Sequence, residues 1–313
     1  MKSISLVLGG TGFLGSHIAH ALVRAGHTVR VLALDPGPIT GDPSIDQEIE
    51  CFWGDLGDVD LIKKALPGVK MVFHYAGTTL PENSNRQPIY DVESNLVGTI
   101  RFLEEASRHE VEKIVFSSSG GTVYGIPKQI PIPETHPTNP ICSYGITKLA
   151  IEKYLLLFSQ LYGFDVRIMR YGNPYGERQD PRKGQGAIAV FLWRILEGRP
   201  IEIWGDGNVV RDFFYVGDLV SATMQVLEIT SKEKVFNVGS GQGISINDLM
   251  EIISQCTGIE PTTRYLPSRF VDVPSNVLDI SLIQKKTGWE PTVGLREGVA
   301  RTWQWLQVAL KEA

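Results

Sequence analysis

Apolar positions in the first half of the chain fall into short runs that alternate with stretches of helical spacing. Residues 3–8 alternate and then run apolar, as a buried parallel strand does, and apolar residues recur at helical spacing through residues 17–23. Strand-like runs return at residues 28–34, 51–53, 70–75 and 112–116, and the pattern predicts a helix over 96–105. Residues 36–46, rich in Pro, Gly and Asp, read as a surface loop. Strands and helices alternating at this spacing predict an α/β fold built on a doubly wound parallel sheet, with ligands at the carboxyl ends of the strands. Beyond about residue 172 the rhythm loosens. Residues 173–186 are polar and loaded with Gly, Pro and charge, as a binding loop is. There follow a helix over 187–196, a strand over 201–204, a helix over 219–227, a strand over 235–237, a helix that Ser245 caps, and an amphipathic helix over 295–309. The predicted division is a first domain over 1–172, with parts of 212–240 returning to it, and a smaller lobe over 173–313.

Charge and cysteine content narrow the partners. The 313 residues carry 30 Lys and Arg against 35 Asp and Glu, a formal net charge of -5, which argues against nucleic acid or an anionic membrane as the main partner. Cys51, Cys142 and Cys256 are odd in number and widely scattered, a pattern of neither a disulfide frame nor a zinc site, so they read as reduced and no metal is expected. The first apolar stretch is too short for a signal segment and no apolar run approaches a membrane span, which predicts a soluble, cytoplasmic chain.

The first strand ends in Gly9-Gly10-Thr11-Gly12-Phe13-Leu14-Gly15 and leads into a helix. Gly9 permits the tight turn, Gly12 lets backbone approach a pyrophosphate, and Gly15 lets the helix pack closely on the strand. The unpaired N–H groups and positive dipole at the helix start then face the phosphates. The second strand closes on Asp35, whose carboxylate accepts both ribose hydroxyls of an adenosine and repels a 2′-phosphate, so NAD is favoured over NADP. After the third strand, Asp55 and Leu56 are placed to hold an adenine amino group and ring, unless Asp55 caps the next helix. Ala76-Gly77 keeps the end of the fourth strand thin enough for a cofactor to lie across it.

At the end of the fifth strand stands Ser117-Ser118-Ser119-Gly120-Gly121-Thr122-Val123-Tyr124-Gly125, and Ser143-Tyr144-Gly145-Ile146-Thr147-Lys148 opens a strongly apolar helix. Tyr144 and Lys148 are four apart and share a helical face. A tyrosine hydroxyl with pKa near 10 is a poor base at neutral pH. An ammonium about 4 Å away at an effective dielectric of about 20 contributes roughly 4 kcal/mol, on the order of three pKa units in favour of the phenolate. The spacing therefore predicts Tyr144 as a general base.

Together the glycine pattern, Asp35, Gly54-Asp55-Leu56, His74-Tyr75-Ala76-Gly77, Asn95, the serine cluster and Tyr144-x-x-x-Lys148 resemble the extended short-chain dehydrogenase/reductase family, specifically its NAD-dependent nucleotide-sugar epimerases. The likeness spans nearly the whole chain. Arg170-Tyr171-Gly172-Asn173-Pro174-Tyr175-Gly176, Trp204-Gly205-Asp206-Gly207 with Arg211-Asp212, Asn237-Val238-Gly239-Ser240-Gly241 and Gly288-Trp289-x-Pro291 resemble the family's later landmarks. The resemblance implies a Rossmann-type domain with a smaller α/β lobe for the nucleotide sugar, and a UDP-sugar 4-epimerase. Tyr144 would take the proton of the sugar 4-hydroxyl while hydride passes from C4 to the nicotinamide. The 4-keto sugar would rotate, hydride would return to its opposite face, and NAD would stay bound throughout. Lys148 would hold the nicotinamide ribose, Asn95 would support the active-site backbone, and Phe13, Leu14, Tyr75, Ala76, Gly77 and Tyr171 would line the cofactor. Asn173, Arg211 and Arg269 match positions that grip the UDP pyrophosphate, and Asp272 one near the uridine. A homodimer is implied, formed as a four-helix bundle by helices near residues 95–108 and 144–162.

Two departures from the family pattern bear on the chemistry. Reading back from Val123-Tyr124-Gly125 places Gly120 where the family carries its catalytic hydroxyl, whereas counting back from Tyr144 places Ser119 there. Ser119 is the expected catalytic hydroxyl, with Ser118 and Thr122 as substitutes. The Asp-Glu pair of the sugar-nucleotide dehydratases is replaced by Gly121 and Thr122, so the dehydratase reading loses its acid and base. Asn276 falls where some epimerases carry a bulky tyrosine against an N-acetyl group, and the smaller side chain predicts tolerance of UDP-GlcNAc and UDP-GalNAc. The competing readings are a uronate epimerase or decarboxylase, a dehydrogenase that exchanges NADH, and a non-catalytic dinucleotide sensor, against which Tyr144 and Lys148 speak.

Overall fold

The computed structural model describes residues 3–268 and 273–309. The chain divides into two units, Met1–Val123 with Pro140–Arg170 and Lys232–Val235, and Tyr124–Asn139 with Tyr171–Ser231 and Phe236–Ala313. The first is organised by a seven-stranded sheet. Its strands are β1 (Ile4–Leu8), β2 (Thr28–Ala33), β3 (Ile49–Trp53), β4 (Val69–His74), β5 (Lys113–Ser119), β6 (Asp165–Tyr171) and β11 (Val235–Val238), in the order β11-β6-β5-β4-β1-β2-β3. β1 pairs in parallel with both β2 and β4, β2 with β3, and β4 with β5, so the carboxyl ends of these strands share one edge. This is the Rossmann-type arrangement that the strand and helix rhythm predicts.

The sheet is covered by helices whose apolar faces complete one core. Leu6, Val72, Ile114 and Phe116 from the strands pack with Phe102 of the Gly98–Ala106 helix and with Ile151 and Leu155 of the Ser143–Tyr162 helix, all essentially removed from water. The long helix ends where Gly163 takes φ +80 and its N–H closes on the Ser159 carbonyl at 3.0 Å.

Two local predictions need correction. The helix predicted over 96–105 begins earlier, since Asn95 lies inside a π-helical stretch, Val92–Val97, that runs directly into the Gly98–Ala106 helix. Asp55 does not cap the third helix. Asp58 does, accepting from the Leu61 N–H at 3.0 Å, because it stands immediately before Val59 while Asp55 folds back on Gly57 N at 2.6 Å.

The second unit is built from short strand sets. β7 (Asn173–Tyr175) pairs with β10 (Phe213–Tyr215), β8 (Ile201–Trp204) with β13 (Thr263–Leu266), and β9 (Val210–Arg211) lies between β12 (Ile244–Ser245) and β14 (Ser275–Asn276). Buried polar residues tie these pieces together. Asp212 accepts from Ser240 N and Oγ at 2.7 and 2.6 Å and from Leu278 N at 3.2 Å, and burial pushes its carboxyl up. Asn237 accepts from the Tyr124 hydroxyl at 2.7 Å and donates to the Ile132 carbonyl at 2.8 Å. Among the described residues no helix is long and apolar enough to cross a membrane.

Candidate active site

At the carboxyl end of β1 the chain turns sharply around three glycines. Gly9 takes φ +77, its N–H donates to the Leu32 carbonyl at 2.8 Å, and a Cβ there would lie 2.8 Å from the Ala76 backbone. Gly12 donates to Gly9 O at 3.0 Å and is the N-cap of the Phe13–Arg24 helix, which it leaves without a side-chain cap. A Cβ on Gly15 would penetrate the Gly9 carbonyl. The turn thus keeps a cradle that any side chain would fill, with helix N–H groups of Phe13 and Leu14 left for an anion, and it fits a dinucleotide pyrophosphate. Asp35, just past β2, is exposed. Asp55 is likewise exposed, whereas the Leu56 side chain is buried in the core, leaving only its backbone for an adenine. Tyr75 and Ala76 are half-buried and Gly77 is exposed beside the cradle.

Three consecutive serines close β5, and each goes to a different use. The Ser117 carbonyl accepts from Lys148 Nζ at 2.8 Å. The Ser118 hydroxyl donates to Glu152, which is itself gripped at both oxygens by Arg170, at 2.9 and 2.6 Å. Ser118 is therefore removed from the candidate catalytic hydroxyls, because its proton is spent on a buried ion pair. Ser119 remains half-buried, and the Thr122 hydroxyl is buried with no hydrogen-bond partner among the described residues.

Lys148 is desolvated and pushed down to about 8, with Asp91 and Glu152 opposing that fall. Its ammonium lies over the ring of Phe116 at 4.8 Å and over that of Tyr144 at 5.6 Å. The predicted lowering of the Tyr144 pKa is not found. Burial pushes the phenol up, and the neighbouring Cys142 and Asp91 push it further. Desolvation of the phenolate is the largest of these effects.

The helix that carries this pair starts without a local cap at Cys142. Its first N–H groups are met from far upstream, Ser143 N by Asn85 Oδ1 at 2.8 Å and Tyr144 N by Ser84 Oγ at 3.1 Å. Asn95 accepts from Thr78 N at 3.0 Å and donates to Thr79 Oγ1 and to Asp91 O, each at 3.1 Å, so it fixes the backbone that follows Gly77. His74, buried below, donates from Nε2 to Thr99 Oγ1 at 2.8 Å, since that hydroxyl already gives its proton to Asn95 O. Burial first and Lys148 second hold it neutral, with its pKa pushed down to about 3.

In the second unit Asn173 N donates to Asp212 O at 2.7 Å, and Arg211 Nη1 donates to the Val210 and Val273 carbonyls at 2.9 and 2.8 Å. Arg211 and Asn276 are register partners on β9 and β14, and Asn276 is buried. Tyr171 is buried too, with its hydroxyl 2.8 Å from Thr223 Oγ1 and its ring stacked on Phe214, so its side chain serves the core rather than a cofactor. Arg269 and Asp272 lie outside the described residues.

A model of the NAD-dependent epimerase/dehydratase family matches residues 5–239. The chain belongs to that family. Its cofactor is NAD, in agreement with the cradle and Asp35. Among relatives of this family member, the UDP-glucose 4-epimerase of Mycolicibacterium smegmatis is 35% identical over 304 residues, 95% of this chain and 96% of that one. The UDP-glucose 4-epimerase of Thermotoga maritima, solved with UDP-glucose, has TM-score 0.92 at 36% identity and covers 98% of this chain and 99% of its own. The UDP-N-acetylglucosamine 4-epimerase of Methanobrevibacter ruminantium, solved with UDP-N-acetylmuramic acid, has TM-score 0.90 at 31% identity, over 99% and 100% of the two chains.

The family member's structure adds residues that sequence reasoning missed. Asp91 and Glu152 gave no signal beyond being acidic positions in helices, because their partners come from distant segments. Gln179 is buried, its amide oxygen has no partner among the described residues, and it follows Arg178, which takes φ +64. The polar, glycine-rich composition of residues 173–186 marked that loop without marking the residue.

Proposed function

We propose that the chain is a UDP-hexose 4-epimerase in which Tyr144 is the base, Ser119 the assisting hydroxyl and Lys148 the cation beside them. The observation that carries the reading is that one sheet edge bears both the glycine cradle at the end of β1 and, at the end of β5, the serines against which the Tyr144 and Lys148 helix is docked. When bound, NAD would supply a reversible hydride acceptor. Tyr144 takes the 4-hydroxyl proton and returns it at the same oxygen after the 4-keto sugar turns, and because the hydride taken from C4 also returns to C4, on its opposite face, the reaction has no net redox change. Ser119 donates to that oxygen as its charge develops. Lys148, kept cationic by Asp91 and Glu152, favours the phenolate. In the second unit Arg211 offers a guanidinium suited to the pyrophosphate, with Asn173 and Arg269, while Asp272 is assigned to the uridine.

The modest side chain of Asn276 favours a pocket that admits N-acetyl sugars. An Asn276→Tyr variant should lose UDP-GlcNAc turnover and keep UDP-glucose turnover. The functional unit we propose is a cytoplasmic homodimer. Ile146, Tyr154, Leu157 and Leu161 recur at helical spacing on the Ser143–Tyr162 helix and are exposed, as a four-helix interface requires.

Proton NMR of the purified protein with UDP-GlcNAc, UDP-glucose and UDP-glucuronate, no cofactor added, tests the reading. Appearance of a 4-epimer supports it and shows which sugar enters. Silence on all three, with NAD bound, overturns it.

A further inference from the structure

Asp91 is fully buried and uses both carboxylate oxygens. Oδ1 accepts from Thr79 Oγ1 at 2.5 Å and from Asn95 Nδ2 at 3.1 Å, on the side of the backbone that follows Gly77. Oδ2 accepts from Ser143 Oγ at 2.7 Å and Thr147 Oγ1 at 2.8 Å, in the first turns of the helix that carries Tyr144 and Lys148. One oxygen thus serves Thr79 and Asn95, and the other serves two hydroxyls of the helix that carries Tyr144 and Lys148. The π-helical stretch Val92–Val97 begins at the next residue, and it brings Asn95 onto the same carboxylate. The same carboxylate disfavours the Tyr144 phenolate and favours the Lys148 ammonium.

We propose that Asp91 is a positioning residue of the reaction: it clamps the start of the Tyr144 and Lys148 helix to the Thr78–Thr79 backbone at the cofactor edge and holds Lys148 in its cationic form. The inference rests on the epimerase reading for its rate readout; its electrostatic half rests on the place of the carboxylate, bonded to Thr147 Oγ1 at 2.8 Å one residue before Lys148, and needs no turnover to be read. The groups facing Lys148 are Tyr144 and Glu152 on its own helix, Asp91 from the Pro88–Asp91 helix, His74 from β4 and, through Glu152, Arg170 from β6. An amide at position 91 keeps the shape but has one acceptor oxygen, so one of the two elements loses its acceptor.

The test compares wild type with Asp91→Asn and Thr147→Val, with the Lys148 side-chain resonance followed by carbon-13 NMR against pH and assigned through Lys148→Arg. Asp91→Asn should move the Lys148 midpoint to lower pH and cut kcat about a hundredfold. Its KM for the UDP-sugar should change less than about threefold. Thr147→Val keeps the charge and loosens the clamp: its midpoint should stay, its kcat should fall, and Thr147→Ser should restore the rate. A wild-type midpoint in Asp91→Asn overturns the electrostatic half, and a wild-type kcat in Thr147→Val overturns the clamp even if Asp91→Asn does not fold. A lower melting temperature with unchanged midpoint and kcat would reduce Asp91 to a fold element and overturn both. If the wild-type chain epimerises no UDP-sugar, the epimerase reading fails, while the Lys148 titration still decides the role of Asp91.

Discussion

Lys148 reaches its place by donating from Nζ to the backbone carbonyl of Ser117 at 2.8 Å. The bond anchors the cation to the strand end that also carries Ser119, so the distance between cation and serine is set by the sheet rather than by a flexible side chain. It also draws the ammonium out of water, with aromatic faces on two sides.

That desolvation predicts a pH dependence of stability in the ligand-free protein. Lys148 is pushed down to about 8 from the usual lysine range, so between those values the unfolded chain holds a proton that the folded one lacks. Stability contributed by this site is therefore lowest below about 8 and should rise as pH climbs from there towards the ordinary lysine pKa. Urea unfolding across that interval should show the rise in wild type and its loss in Lys148→Met. A Lys148→Met curve parallel to wild type would show that the site does not titrate there.

The serines separate in their expected effects. Ser119→Ala should lower kcat about a hundredfold with little change in melting, the loss expected of a group that acts in proton transfer. Ser118→Ala removes one donor from the buried Glu152 and should cost about 1–3 kcal/mol of stability while kcat holds. A large kcat loss in Ser118→Ala with Ser119→Ala near wild type would reverse the assignment.

What the sequence discloses here is what lies close in the chain. The Gly9, Gly12 and Gly15 turn, Asp35 and the Tyr144 to Lys148 spacing are local patterns, and the doubly wound parallel sheet follows from the rhythm of strands and helices. What it withholds is set by distant partners. Ser118 cannot be told from Ser119 until Glu152 is seen to claim its proton, 34 residues away. Tyr144 looks basic when only Lys148 is counted, and burial, absent from a linear pattern, reverses the direction. The segment Tyr124–Asn139 joins the second unit because Ile132 bridges to Leu278 and Asn237, contacts that no periodicity announces.

The Glu152 and Arg170 pair is nearly dry, and its energetic effect is asymmetric. Arg170→Met should cost about 3–5 kcal/mol because it strands a buried carboxylate, whereas Glu152→Met combined with Arg170→Met should regain most of the loss. Urea midpoints of the single and double variants check this. A double variant less stable than Arg170→Met would mean that Ser118 and the pair act as one unit that an apolar core cannot replace.

The glycine cradle makes the sharpest separation between fold and cofactor. A methyl at position 15 meets the Gly9 carbonyl, a backbone atom that can yield only by moving the turn, and the same turn presents the uncapped helix start. Gly15→Ala should therefore cost about 1–3 kcal/mol of stability through overpacking and, more tellingly, should displace the N–H groups that face the pyrophosphate. The purified variant should carry less NAD than wild type by absorbance and by release on denaturation, and its epimerase activity should respond to added NAD, which wild type should not need. Wild-type NAD content in Gly15→Ala would show that the turn accommodates the methyl without moving, and that the close approach of Gly15 to Gly9 serves the packing of the helix alone.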